Sequence, residues 1–137
     1  MIQLHGSTVA LGGVGLMILG PSGAGKSSLA LEMMAAGAML VADDRTDLRR
    51  DGGALIASAP QPLLGRIEAR GVGILAADPS PPVPLALVCD LGRPEDQRLP
   101  PRRAAEWLGV TLPLVLGPYR PHLYSALRQM LLAGRLD

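Results

Sequence analysis

The sequence predicts an α/β fold, a mixed sheet flanked by helices and built on a phosphate-binding loop. Three observations predict it. Gly20-Pro21-Ser22-Gly23-Ala24-Gly25-Lys26-Ser27 satisfies the pattern G-x-x-x-x-G-K-[ST] at every fixed position. Leu16 to Leu19 before it is a continuous apolar run, as in a buried strand, and Ser27 to Ala36 after it reads as a helix, with Leu29, Leu31, Met33 and Met34 for packing and Gly37 as the stop. Two further apolar runs, Ala38 to Ala42 and Leu85 to Cys89, lead into acidic residues, as strands do when they end at a ligand-facing edge.

The loop has a specific chemistry. Glycines let backbone N–H groups converge on phosphate oxygens, and the helix that follows adds the positive end of its dipole. Lys26 supplies a point charge to the β- and γ-phosphates and Ser27 a hydroxyl to Mg²⁺. The chain holds twelve arginines and a single lysine, and that lysine is Lys26. A strong bias toward arginine is thus reversed at the one position where a compact ammonium differs chemically from a guanidinium.

Bulk composition excludes several classes. With 137 residues the expectation is one domain, residues 1–137. The chain is 48% hydrophobic but 2% aromatic with no Phe, so its core is aliphatic. A formal charge of +1 gives no electrostatic case for nucleic acid or a membrane surface. Cys89 is alone, which rules out an internal disulfide and points to a reducing compartment. The start lacks a basic segment followed by a long apolar one, and no apolar run reaches the ~20 residues that span a bilayer, so the expected location is the cytoplasm.

Taken in order, Met1 to Leu4 reads as a short strand broken by His5-Gly6. Ser7 to Leu11 resumes it, and a Gly12-Gly13 turn leads into the strand before the loop. His5 is open between a hydrogen-bonded structural role and a functional one. Asp43-Asp44 at the end of the next strand has two readings. It is a solvated turn, or, if that strand runs parallel to the loop strand, a carboxylate pair at the same ligand. In the second case one carboxylate binds a cation through water and the other accepts a proton. Thr46 to Arg50 and Ala54 to Ser58 flank Asp51-Gly52-Gly53, a hairpin signal. Glu68 and Arg70 share a face if extended, either as a surface ion pair or as a Mg²⁺-binding carboxylate beside a phosphate-binding guanidinium. Asp90, ending an apolar run, has the weak shape of a second Mg²⁺-binding Asp. Leu91 to Pro100 reads as a polar loop and Pro101 to Leu108 as a short helix. Thr111 to Leu116 reads as an edge or irregular strand because of Pro113. Pro121 to Ala133 is the closing helix, stopped by Gly134, with His122 structural in its first turn.

Together these residues resemble the catalytic domain of HPr kinase/phosphorylase. The order carries it: His5-Gly6, then GPSGAGKSSLALE, then LVADD, then IEARGVGI, which is similar to the family signature E-x-R-G-x-G through Glu68, Arg70, Gly71 and Gly73. The spacings from His5 to Gly20 and from Lys26 to Asp44 match as well. The resemblance implies a P-loop fold like that of phosphoenolpyruvate carboxykinase, ATP and Mg²⁺ as cofactors, and phosphorylation of a serine of HPr, a phosphocarrier of the sugar phosphotransferase system. It further implies a hexameric homo-oligomer. Gly20, Pro21, Ser22, Gly23, Ala24, Gly25, Lys26 and Ser27 would bind ATP with Arg70. Ser27, Glu68 and Asp43 would face Mg²⁺. Asp44 would be the proton acceptor, with His5, Lys26 and Arg98 as further active-site residues, Arg98 through the similarity of Gln97-Arg98-Leu99 to an Arg-Leu pair. Two departures stand. The chain is about half the usual length, without the family's N-terminal domain. The late motif of two arginines around Pro-Gly is here Gly117-Pro118-Tyr119-Arg120-Pro121, which puts the phosphorolytic reverse reaction in doubt. The rival readings are a P-loop kinase of a small metabolite and a non-catalytic ATP-binding regulatory module.

Overall fold

The computed structural model describes residues 1–137. Ile2–Leu11 forms one unbroken strand, β1, where the sequence suggested a break at His5-Gly6. Gly6 does not interrupt pairing; it permits it, because a Cβ there would sit 2.9 Å from the Ile18 carbonyl oxygen of the neighbouring strand. That neighbour is β2, Val14–Leu19, paired antiparallel from Gly6↔Leu19 to Leu11↔Val14. The Gly20–Gly25 loop leads from β2 into helix α1, Lys26–Ala35. Strand β3, Met39–Ala42, then returns along the other edge of β1. Both β2 and β3 are antiparallel to β1, so they run in the same direction with β1 between them.

The rest follows as β4, Arg45–Asp51; β5, Ala54–Ser58; β6, Arg66–Ala69; β7, Gly73–Ala76; β8, Val83–Pro94; β9, Arg103–Trp107; β10, Val110–Gly117; and helix α2, Leu123–Ala133. Strands β3-β1-β2-β8-β10-β9 make a mixed sheet in which β2, β8 and β10 are parallel. The first half of β1 pairs instead with β4, and the start of β8 with β5, giving a second sheet that shares both long strands. The β6–β7 hairpin stands apart as a small two-stranded sheet.

Alternation along the strands divides the core in two. Val9, Leu16, Ile18, Leu87 and Cys89 face Leu29, Met33, Leu123 and Leu127 of the helices. Met17, Val41 and Val88 face Leu48, Leu55 and Ala57 of the second sheet. Helices therefore cover one face of the central sheet only, and β4–β5 cover the other.

Three expectations need correction. Residues 103–107 are a strand, not a helix. Leu108-Gly109, with φ of 52° and 78°, makes a two-residue turn whose twist suits a hairpin, and Trp107 pairs with Val110 across it. Arg103 is held to Glu95 by two 2.8 Å hydrogen bonds. The polar loop after Asp90 starts later than expected, because β8 continues to Pro94. Finally, β10 lies inside the sheet, not at its edge. Pro113 is tolerated because pairing to β8 begins one residue later, at Leu114↔Val88.

The lone Cys89 lies on the helix-facing side of β8, fully buried, and burial pushes its thiol up to about 12. Since the thiolate is the reactive form, the folded protein at pH 8 is expected to leave a thiol-reactive chromogenic disulfide unconsumed. In guanidinium chloride it should react with one equivalent. Rapid reaction of the folded protein would contradict this packing.

Candidate active site

The Gly20–Ser27 loop sits at the carboxyl end of β2, as the sequence predicts, and forms one wall of a cleft of about 310 Å³. Gly25 precedes α1 at φ 104°, a conformation that side chains resist, and the helix start has no side-chain cap. Its first N–H groups are thus left for a ligand. Lys26 is buried, and its Nζ donates to the carbonyls of Gly20 and Pro21 at 2.8 and 3.2 Å. Those neutral acceptors are ones an ammonium exchanges readily for anionic oxygens.

The two strand-end aspartates are divided sharply. Asp43 is buried and accepts three hydrogen bonds: from Ser7 Oγ at 2.8 Å, from Ser27 Oγ at 2.8 Å and from the Glu68 backbone N–H at 2.9 Å. Asp44 follows in the left-handed region at φ 68°, which Asp tolerates better than most residues. Its side chain is 58% exposed and lies 2.7 Å from His5 Nε2. The Asp44 backbone N–H donates to Ser7 Oγ at 3.1 Å, so one buried hydroxyl holds both aspartates. The solvated-turn reading fails for Asp43, which is interior, while Asp44 stands exposed in the turn and lines the cleft.

Glu68 and Arg70 come from the β6–β7 hairpin and its turn, and both line the cleft. They form no ion pair with each other, and the Arg70 guanidinium lies over Gly23 of the loop, about 3.7 Å from where a Cβ would be. Ile67, nearly fully buried just before Glu68, anchors the hairpin to the helix-side core.

No three acidic, His or Cys side chains converge on a common point, so the protein builds no closed metal cage. A partial oxygen set is present instead. Ser27 gives its hydroxyl proton to Asp43, which leaves its lone pairs free, and Glu68 faces the same cleft. That is the donor set Mg²⁺ accepts when phosphate oxygens and water complete its shell, so the residues fit the ion.

Other candidates fall outside this group. Arg98 is exposed on the loop between β8 and β9 and does not line the cleft. Asp90 caps its own turn, accepting from Gly92 N–H at 2.9 Å, and the position beside Ser27 is taken by Asp43. His122 is exposed at the start of α2. Sequence reasoning missed Ser7 altogether, since one hydroxyl within a buried strand has no distinguishing pattern. Tyr119, which lines the cleft, was noticed only as a bulky turn residue. Its signal was rarity, as one of three aromatic residues in the chain.

Comparison with known proteins identifies the family. The family model for the HPr serine kinase C-terminal domain matches residues 1–79. An HPr kinase/phosphorylase of Clostridium botulinum is 45% identical over 73 residues, an alignment that covers 53% of this chain and 24% of that protein. One from Limosilactobacillus reuteri is 47% identical over 74 residues, covering 53% and 23%. The chain thus spans about a quarter of the length of the curated relatives it matches. The solved structure of the Hpr(Ser) kinase/phosphatase from Coxiella burnetii superposes with a TM-score of 0.81 at 28% identity, over 96% of this chain and 97% of that one. The family match covers more than half of the sequence and includes every residue of the cleft except Tyr119: this chain belongs to the HPr serine kinase C-terminal domain family.

Proposed function

We propose that residues 1–137 form one catalytic P-loop domain of the phosphoenolpyruvate carboxykinase type that transfers the γ-phosphoryl group of ATP to a serine hydroxyl of an HPr-type phosphocarrier in the cytoplasm. The observation that carries the reading is the division of labour at Asp43-Asp44. The buried aspartate orients the loop serine, and the exposed one, paired with His5, stands in the cleft beside the loop. The names of the relatives support the same acceptor. No helix is long and apolar enough to cross a membrane.

In this mechanism the phosphates lie along Gly20–Ser27, taking the loop N–H groups, and Lys26 exchanges its two carbonyl partners for phosphate oxygens. Arg70, over Gly23, closes the loop from above. Ser27 and Glu68 would hold Mg²⁺, with Asp43 behind Ser27, and the ion would supply neutralisation of the charge on the transferring phosphoryl group. The acceptor serine places its oxygen in line with the γ-phosphorus. As the new P–O bond forms and the bond to the β-phosphate oxygen breaks, its proton passes to Asp44, and ADP leaves. His5 holds the Asp44 carboxylate toward the reacting centre. Beyond His5 a shallower hollow of about 280 Å³, bordered by Gln3, Leu4 and Arg45, leaves room for the acceptor's approach.

The decisive experiment incubates the protein with γ-labelled ATP, Mg²⁺ and HPr of the same organism. Labelled phosphoserine is the expected product, and Lys26→Ala abolishes it. ATP binding without transfer would instead make the chain a regulatory module.

The two aspartates are expected to separate in mutagenesis. Asp44→Asn keeps nucleotide binding and melting temperature but loses turnover by about 10²-fold or more, the scale of a missing general base. Asp43→Asn turns an NH₂ group toward groups that donate, and costs about 1–3 kcal/mol of stability in denaturant titration as well as activity. Equal stability losses in both variants would contradict the assignment.

Phosphorolysis is expected to be weak. It brings free phosphate against a phosphoserine, and the turn that should offer two guanidiniums has Gly117 in place of one. The other, Arg120, donates to the Pro118 carbonyl at 3.3 Å. A lost charged phosphate contact is worth about 1.5–3 kcal/mol, or roughly ten- to a hundredfold. Phosphoserine-HPr with millimolar phosphate should release pyrophosphate far more slowly than the kinase reaction runs; comparable rates would refute the reading.

A further inference from the structure

We propose that Tyr119 is the platform on which the base of the bound nucleotide rests, an assignment that stands on the nucleotide-binding reading above. The phosphate end of the cleft is crowded with charge. Asp44, Glu68, Arg70 and Lys26 all border it, and none of them is a home for a planar, weakly polar ring. Apart from the glycines, the apolar members of the wall are Ala24 and Tyr119. Tyr119 follows β10, whose carboxyl end lies beside that of β8, which in turn lies beside β2 and the phosphate loop. Ligands of parallel strands collect at this edge, and the loops after successive strands divide the ligand among them. The loop after β2 takes the phosphates; the loop after β10 is left with the remainder of the molecule.

The contact is close. Tyr119 Cγ lies 3.0 Å from where a Cβ on Gly25 would be, and Cδ1 3.2 Å, so the ring rests directly against the last residue before α1. Gly25 is required there twice over, by its φ of 104° and by the tyrosine. Ser28, in the first turn of α1, also lines the cleft, which carries the wall along the helix toward the ring. Glu32 continues that face of the helix. Its carboxylate, together with burial, raises the phenol's pKa above the ordinary value. Glu32 Oε1 is buried without a hydrogen-bond partner, the one such side-chain atom in the protein. The ring is thus held at its base against Gly25, as a flat stacking surface must be if it is to gain from a ligand without first losing freedom of its own.

The test compares ATP with inorganic tripolyphosphate, which carries the phosphates without a nucleoside, by calorimetry on the full chain with Mg²⁺. Wild-type protein should bind ATP more tightly than tripolyphosphate. Tyr119→Ala should weaken ATP binding about five- to a hundredfold, the range for loss of one base–aromatic stack, and leave tripolyphosphate binding unchanged. Tyr119→Phe should keep ATP affinity. Tyr119→Leu fills the space against Gly25 without a flat face, so it should behave like Tyr119→Ala even if the alanine variant folds poorly. Equal losses for both ligands would overturn the proposal and make Tyr119 a packing residue of the loop. Wild-type affinity for tripolyphosphate equal to that for ATP would overturn it while leaving the phosphate site standing. Binding of neither ligand would remove the nucleotide reading itself and the platform with it.

Discussion

Everything at this site depends on a buried carboxylate. Withdrawing an ion such as Asp43 from water costs several kcal/mol even after relaxation, and the fold offsets that with charge-assisted hydrogen bonds from three separate elements. Ser7 comes from β1, Ser27 from α1 and the Glu68 N–H from β6, while Asp43 itself directly follows β3. The strand order that makes this meeting possible is β1 lying between β2 and β3, with the latter two pointing the same way. The hydrogen bonds therefore do more than satisfy one charge: they set the separation between the loop, the acid and the hairpin.

Backbone geometry holds the two neighbouring carboxylates apart. The left-handed turn at Asp44 sends its side chain outward to His5 while Asp43 stays inside, so two residues of one type have unlike surroundings. Ser7 stabilises this arrangement by donating to the first side chain and accepting from the second backbone. Ser27 shows the same economy, because a hydroxyl whose proton is already committed offers a cation its lone pairs.

Much of this was legible in the sequence wherever local chemistry and long-range structure agree. The G-x-x-x-x-G-K-S segment, its flanking strand and helix, and the placement of Asp43-Asp44 at a strand end all follow from patterns within about thirty residues. The split between Asp43 and Asp44 was not legible, since it depends on a hydroxyl far upstream and a backbone angle. Residues 103–107 were misread because Pro101 and Gly109 imitate helix boundaries; the deciding features, a register against β10 and the Arg103–Glu95 pair, are tertiary. Arg98 carried a motif resemblance, but its loop lies away from the cleft, and short dipeptide matches contain no information about that distance.

The two shared strands have a mechanical consequence. Pairings β1–β2, β2–β8, β8–β5, β5–β4 and β4–β1 close into a circuit, so neither sheet can open without stripping partners from the other. Elements on the circuit are bound into one cooperative unit, whereas those off it can open separately. His5, Ser7 and the strand that feeds the loop are on it. The β6–β7 hairpin is off it, attached through Ile67 and one N–H to Asp43. Amide exchange at Arg70 should therefore run faster than at His5 or Ser7, which makes the sheet-borne half of the cleft an anvil and the hairpin turn the half that yields.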